Sequence, residues 1–364
     1  LSKEVIEMPD RPLYLHEYHP KSELVVESHE LLTPKFPAID VHGHFAALYS
    51  DLWLAEMNKS RPDPDSVVDM LRKCGIRRIV NLDGFWDGFM GITREKVLKT
   101  LKPYGDFFIN FVSVNTNMVH DKGFDDYIRD HLRTSKEMGF HGIKLFKHVS
   151  IMVPDEKGNF VPGRNIAVDD PRLKIIWDTA AELSMPVLIH IADPVAFFRP
   201  VDRFNERYEE LMSHPDWQFG EHPDMYAFEE LMDMQENLLS SNPHTTFIIA
   251  HVGSYSENLG FVGSCLDKYP NMYIDIAERI NELGRQPYTS RKFFHRYQDR
   301  ILFGSDAFPW DMEGRYPYYF RFLETWDEYF GYGGRWGLYG IGLEDDILRK
   351  VYYQNAEKVL MLEG

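Results

Sequence analysis

The 364-residue chain holds only two cysteines, Cys74 and Cys265, too few for a disulfide framework or a cysteine-ligated zinc site. It has no apolar run near the ~20 residues that a membrane-spanning helix needs. Positive charge is also in deficit: 40 Lys and Arg stand against 57 Asp and Glu, a formal net charge of -17. That balance argues against a nucleic-acid partner, which requires a clustered basic surface. No Ser/Gly linker, short-period repeat or low-complexity tract divides the chain. No G-x-G-x-x-G follows an early strand, so a dinucleotide-dependent redox enzyme has no support. The first residue is Leu1 rather than Met, which leaves open an exported origin after leader removal; the compartment is not legible.

What is present is an ordinary globular composition, 44% hydrophobic and 27% charged, sufficient for a large core. Short β-branched or aromatic runs recur, each followed by a helical stretch. They are Phe36–Val41, Arg77–Leu82, Phe107–Val114, His141–Phe146, Pro186–Ile191, Thr246–His251, Met272–Ile276 and Arg300–Phe303. Between them lie amphipathic segments such as "DPDSVVDMLRKCG", with an Asp cap before its apolar periodicity and a Gly after it. Eight strand–helix units predict a parallel sheet closed into a (β/α)8 TIM barrel. Residues 1–35 are expected as an N-terminal extension laid over the barrel, and 36–364 as one barrel domain. Residues 192–244 and 307–343 are too long for plain connections and are expected as insertions at the C-terminal face, where barrel enzymes build their sites.

Ionisable residues close several of the apolar runs. "PAIDVHGHF" ends on His42 and His44, which share one face of a strand. Lys144 lies in "GIKLF", His190 in "PVLIHIADP", His251 in "FIIAHVGS" and Asp306 in "ILFGSDAFP". Singly, each has an ordinary explanation, as a rim residue or a helix cap. Together, four histidines and an aspartate at the same end of different strands predict a metal site. Imidazole and carboxylate donors suit Zn²⁺ by default, with Mn²⁺, Fe²⁺ or Ni²⁺ also compatible.

The "IDVHGHF", "HIADP", "AHVGS" and "LFGSDAFP" segments resemble the amidohydrolase superfamily. The similarity is greatest to the amidohydrolase-related group that includes aminocarboxymuconate-semialdehyde decarboxylase and dicarboxylate lactonases, and it runs from Phe36 to "NAEKVLML". The resemblance implies His42, His44, His190 and Asp306 as ligands of one divalent metal. It implies Asp306 as proton acceptor and His251 as an acid/base beside the substrate. A second metal bridged by a carboxylated Lys144, with His251 on it, is the less favoured arrangement.

The expected activity is metal-dependent hydrolysis of an amide, lactone or ester-like bond in a small anionic or aromatic substrate. The alternative is non-oxidative decarboxylation of an aromatic or muconate-like acid in the same cage. Substrate-binding candidates are Arg279, Arg199, Trp86, Phe198 with its neighbour Phe197, and Trp310, all in loops leaving the expected mouth. Arg279 has a competing expectation, pairing with Glu278 or Asp275. The oligomeric state is left open.

Overall fold

A computed structural model describes residues 13–154, 160–332 and 336–362. Eight parallel strands form one sheet in chain order: β1 Ala38–Gly43, β2 Ile76–Asn81, β3 Phe108–Val112, β4 Gly142–Leu145, β5 Val187–Ile189, β6 Phe247–Ile249, β7 Met272–Asp275 and β8 Ile301–Leu302. The last meets the first: the Val41 N–H donates to the Phe303 carbonyl at 2.9 Å, and Gly43 bridges Ala307 in parallel. Helices lie between the strands, so the architecture is the expected (β/α)8 barrel. Among the described residues no helix is long and apolar enough to cross a membrane.

Local chemistry accounts for the helices. In Pro64–Lys73 the Asp63 carboxylate caps the Ser66 N–H, Pro64 opens the first turn, and Val67, Val68 and Leu71 face inward. Phe124–Met138 ends on Gly139 in the left-handed region at φ 101°, where a side chain is disfavoured. Two buried apolar clusters result. One comes mainly from the strands and the C-terminal helix Asn355–Leu360, including Ile39, Val41, Leu188, Ile248 and Val359. The other joins the strands to the surrounding helices.

Several expectations change in detail. β6 stops at Ile249, and His251 lies beyond it in a turn whose His251, Val252, Gly253 and Ser254 all have φ between 57° and 65°. The predicted strand fails there because the His251 N–H turns to the Asp275 carboxylate, 2.8 Å away. Helix Phe228–Ser241 occupies the end of the 192–244 segment, so the irregular part stops near Ala227. A hairpin pairing Met152–Pro154 with Phe160–Pro162 follows β4 unannounced; residues 155–159 lie outside the described residues. The 307–343 segment contains helix Met312–Glu324, bearing Pro317 inside it, while 333–335 of its glycine-rich stretch lie outside the described residues. Of the expected arm, residues 1–12 lie outside the described residues. Its remainder is anchored where the His29 and Lys35 N–H groups donate to Asp327 and Glu324 at 2.7 and 2.9 Å.

Candidate metal centre and active site

Alternation along β1 puts Asp40, His42 and His44 on one side of the strand. Asp40 is the buried foundation: it accepts from the His42 N–H at 2.9 Å, the Ser305 N–H at 3.1 Å and the Tyr316 hydroxyl at 2.7 Å. Burial pushes its carboxyl up to about 6 against those hydrogen bonds. Above it, each imidazole is oriented by a carboxylate from a different strand end. His42 Nδ1 lies 2.8 Å from Asp275 and His44 Nδ1 lies 2.7 Å from Asp83. A carboxylate accepts only, so each Nδ1 carries a proton, and a neutral ring then presents a lone pair at Nε2.

Both Nε2 atoms point at one oxygen. Asp306 Oδ1 lies 3.4 Å from His42 Nε2 and 3.1 Å from His44 Nε2. The three donor atoms sit within 4.8 Å of one another. Asp306 is held ionised: burial opposes this, but the surrounding imidazoles keep the carboxyl well below its usual range. His42 is held neutral by burial, with Lys144 adding to the effect. Burial also disfavours charge on His44, but Asp83 and Asp306 prevail and lift it to about 9. A proton on His44 therefore satisfies the His44–Asp306 contact alone, leaving the His42 lone pair against a carboxylate. A cation between all three satisfies both, and a ligating imidazole whose other nitrogen donates to a carboxylate is the usual supporting arrangement. The donor set fits a divalent metal.

The remaining predicted residues surround this group. Lys144 Nζ is 3.5 Å from His42 Nε2 and burial drops it to about 8. The His251 ring lies tilted against that of His42 with centroids 4.9 Å apart, and its Nδ1 donates to the Ala277 carbonyl at 2.8 Å. His190 adjoins His251, Nδ1 to Nε2 at 3.0 Å, while its own Nε2 faces Asp193 at 3.2 Å. His190 thus reaches the cluster through His251. In the other compact donor group, His42, His251 and Asp275, Asp275 already holds His42 Nδ1, and the His251 ring is engaged by Ala277 and His190.

Backbone strain collects at the same mouth. Asp306, His251, Glu278 and Phe85 have φ of 62°, 58°, 50° and 45°, each costing on the order of 1–2 kcal/mol for a non-glycine residue. Hydrogen bonds fix three of them: Asp306 N–H to His42 O at 2.9 Å, His251 N–H to Asp275, and Glu278 N–H to the Tyr319 hydroxyl at 2.7 Å.

A cavity of about 610 Å³ opens over the cluster, lined by His42, His44, Lys144, His190, His251 and Asp306. Of the substrate-binding candidates, Trp86, Phe197 and Arg279 line it. Arg279 is buried and donates to the Glu278 carbonyl at 2.7 Å, with Asp193 4.0 Å away; Asp275, its other expected partner, is occupied by His42. Three candidates lie elsewhere. Arg199 pairs with Glu229 on the exposed surface. Phe198 stacks on Phe219 within the insertion, and Trp310 packs outside on Phe308 and Trp53. Sequence reading missed Asp83 and Asp275, although each closes an apolar strand run as the histidines do. It also missed Lys147 with its partner Asp193, at 2.7 Å, and Arg207 and Arg315 in the insertions.

Known structures share the architecture. A 2,6-dihydroxybenzoate decarboxylase from Rhizobium aligns with a TM-score of 0.55 at 15% identity, over 90% of this chain and 100% of its own. A candidate 2-pyrone-4,6-dicarboxylic acid hydrolase from Pseudomonas putida aligns at 0.54 and 12% identity, over 90% and 99%. A 5-carboxyvanillate decarboxylase from Sphingomonas paucimobilis gives 0.54 and 10%, over 90% and 100%. At these identities the likeness is one of fold. No curated protein sequence matches. A family model described as Amidohydrolase matches residues 39–362, nearly the whole barrel with every strand-end histidine and Asp306, and members of this family are metal-dependent enzymes. The chain belongs to the amidohydrolase family.

Proposed function

We propose that the chain is a metal-dependent hydrolase of a small anionic substrate with an amide, lactone or ester-like bond. The chemistry is carried by a barrel unit of residues 36–364, with 1–35 as an extension. The observation behind this reading is the ionised Asp306 facing the Nε2 atoms of His42 and His44, three atoms that one cation would satisfy together once it displaces the His44 proton. His42, His44 and Asp306 would hold one divalent ion, zinc by ligand type, and His190 would join them. When bound, the ion supplies Lewis acidity, lowering the pKa of water to ~7 and polarising a carbonyl.

The chain's own groups do the rest. The Asp306 carboxylate takes the proton of the attacking water at its second oxygen and passes it to the leaving group. Asp83 and Asp275 hold the two imidazoles in the tautomer that leaves Nε2 free. His251, anchored by Ala277 and Asp275, keeps its Nδ1 proton on the Ala277 carbonyl and presents Nε2 beside His190 as a proton acceptor at the cavity. Lys144 forms no ion pair among the described residues, so it and the weakly paired Arg279 attract the substrate's negative group. Lys147, Arg207 and Arg315 are already matched by Asp193, Glu210 and Glu282, and Asp311 and Glu278.

The test presents the metal-loaded protein with lactones, anilides and aryl esters bearing a carboxylate, alongside the corresponding aryl carboxylic acids. Acid release from the first set is expected, with Asp306→Asn lowering it ~10²–10⁴-fold, the usual worth of a positioned acid/base. CO₂ release from the second set without hydrolysis of the first would establish decarboxylation instead. Near-normal turnover in Asp306→Asn would remove it as the base.

A further inference from the structure

His148 is 2% exposed, lines the cavity, and has no hydrogen-bond partner at either ring nitrogen. The Val114 carbonyl approaches the ring without reaching hydrogen-bond geometry. A buried polar group left unpaired is costly and calls for an explanation. Its surroundings are aromatic: Trp86 and Phe160 lie with ring centroids 5.4 Å away and Phe146 at 6.1 Å. Phe89 closes the group, 4.6 Å from Trp86 and 5.5 Å from Phe160. Phe146 links this box to the metal ligands, with its ring 6.1 Å from that of His44 and 5.2 Å from Lys144 Nζ. His148 therefore stands one ring beyond the ligand cluster, at the apolar end of the same cavity.

We propose that His148 is a specificity-determining residue: it hydrogen-bonds a hydroxyl on the flat, uncharged end of the substrate, remote from the anionic group held near Lys144 and Arg279. The inference rests on reading the cavity as the substrate site. Burial drops the imidazole to about 3, so it is neutral, with one donor and one acceptor. A hydroxyl offers the same pair and complements it. A carboxylate in that position would leave charge unpaired among aromatic rings. The rings supply stacking faces for a planar group.

The test is binding, measured by titration calorimetry on metal-loaded protein. The probes are benzoate, phenylacetate and 3-phenylpropanoate, each with and without a para-hydroxyl; the length series finds the member that spans the cavity. For that member the hydroxylated form is expected to bind ~10-fold tighter or more, the scale of one buried hydrogen bond otherwise left unmade. His148→Phe should erase the preference while the unsubstituted acid still binds, and His148→Gln, which keeps a donor and an acceptor, should restore it. Equal affinities within every pair in the wild-type protein would overturn the proposal, as would an unchanged ratio in His148→Phe. Failure of every acid to bind would overturn it together with the substrate cavity. CO₂ release instead of hydrolysis would leave the ratio standing and remove only the reaction assignment.

Discussion

Replacing Asp275 by asparagine tests the logic of the centre with a change of one atom. Asp275 is fully buried, and one of its oxygens accepts two backbone N–H groups, from His251 at 2.8 Å and Ala277 at 3.1 Å. The other faces His42 Nδ1 at 2.8 Å. In Asp275→Asn the amide oxygen must take the first position, because both N–H groups there need an acceptor. The amide NH₂ then faces Nδ1, which can only accept. The His42 proton moves to Nε2, the atom aimed at Asp306, and the lone pair for the cation is gone. Loss of such a supporting carboxylate typically weakens metal binding ~10–100-fold, or about 1.4–2.8 kcal/mol.

Stability should respond differently from metal affinity. Burial holds the Asp275 carboxyl above its ordinary range, so its charge at neutral pH works against folding, and a neutral amide relieves that cost. The metal-free Asp275→Asn protein should therefore melt at or above the wild-type temperature while its affinity for zinc falls. Asp275→Ala, which strands two buried N–H groups, should melt lower. Chelator competition gives the affinity and calorimetry the melting temperature. Unchanged zinc affinity in Asp275→Asn would refute the tautomer argument, whatever the melting temperature.

Two further outcomes follow from parts of the fold away from the ligands. A Cβ on Gly84 would lie 1.9 Å from the Phe111 carbonyl oxygen, a backbone contact that cannot yield. Gly84→Ala should cost ~1–3 kcal/mol or more and disturb the adjoining Phe85 and Trp86; a urea midpoint equal to wild type would contradict the packing described. His131 is buried, donates to the Ser113 carbonyl at 2.9 Å, and is lowered by burial, with Arg94 adding, to about 4. Its folded value lies below the unfolded ~6.5, so the unfolded chain binds the proton first as pH falls. That stability is intact above pH ~6.5 and is lost progressively down to about pH 4, by up to ~3 kcal/mol at 1.36 kcal/mol per unit. His131→Gln, which keeps the donor, should flatten the urea stability between pH 7 and 5; an identical slope would show that other groups set it.

The barrel was legible because each strand is an apolar run of the right length and each following segment carries helical periodicity with its own caps, as at Asp63 and Gly139. The strand-end cluster was legible because charge at the end of an apolar run is conspicuous. Asp83 and Asp275 carry the same signal, but their role depends on which neighbour's strand end they face, and that is set by barrel closure. The hairpin carrying Phe160 was hidden because its strands are half-buried to exposed and end on Pro154 and Pro162, so no buried apolar run marks them. Arg199 and Arg207 look alike in sequence. One finds Glu229 at the surface and the other finds Glu210 and Glu282 at the cavity wall, a choice made by tertiary packing.

The arrangement of carboxylates explains why the centre needs the barrel as a whole. Each imidazole of β1 is oriented by a different neighbour, His44 by the end of β2 and His42 by the end of β7. Asp40, beneath them, also ties down Ser305, next to Asp306. No two of these contacts lie within one strand–helix unit, except that between Asp40 and the His42 N–H. A fragment of the barrel would therefore keep the ligand sequence and lose the tautomers. Closure between β1 and β8 is the step that brings Asp306 to the paired imidazoles, through the bond from its N–H to the His42 carbonyl. Metal affinity and closure are then linked: a cation that binds only the closed barrel stabilises it by RT ln(1 + [L]/Kd), about 2.7 kcal/mol at a hundredfold excess over Kd. A cation held by His42, His44 and Asp306 would in this way also tie the first strand to the last.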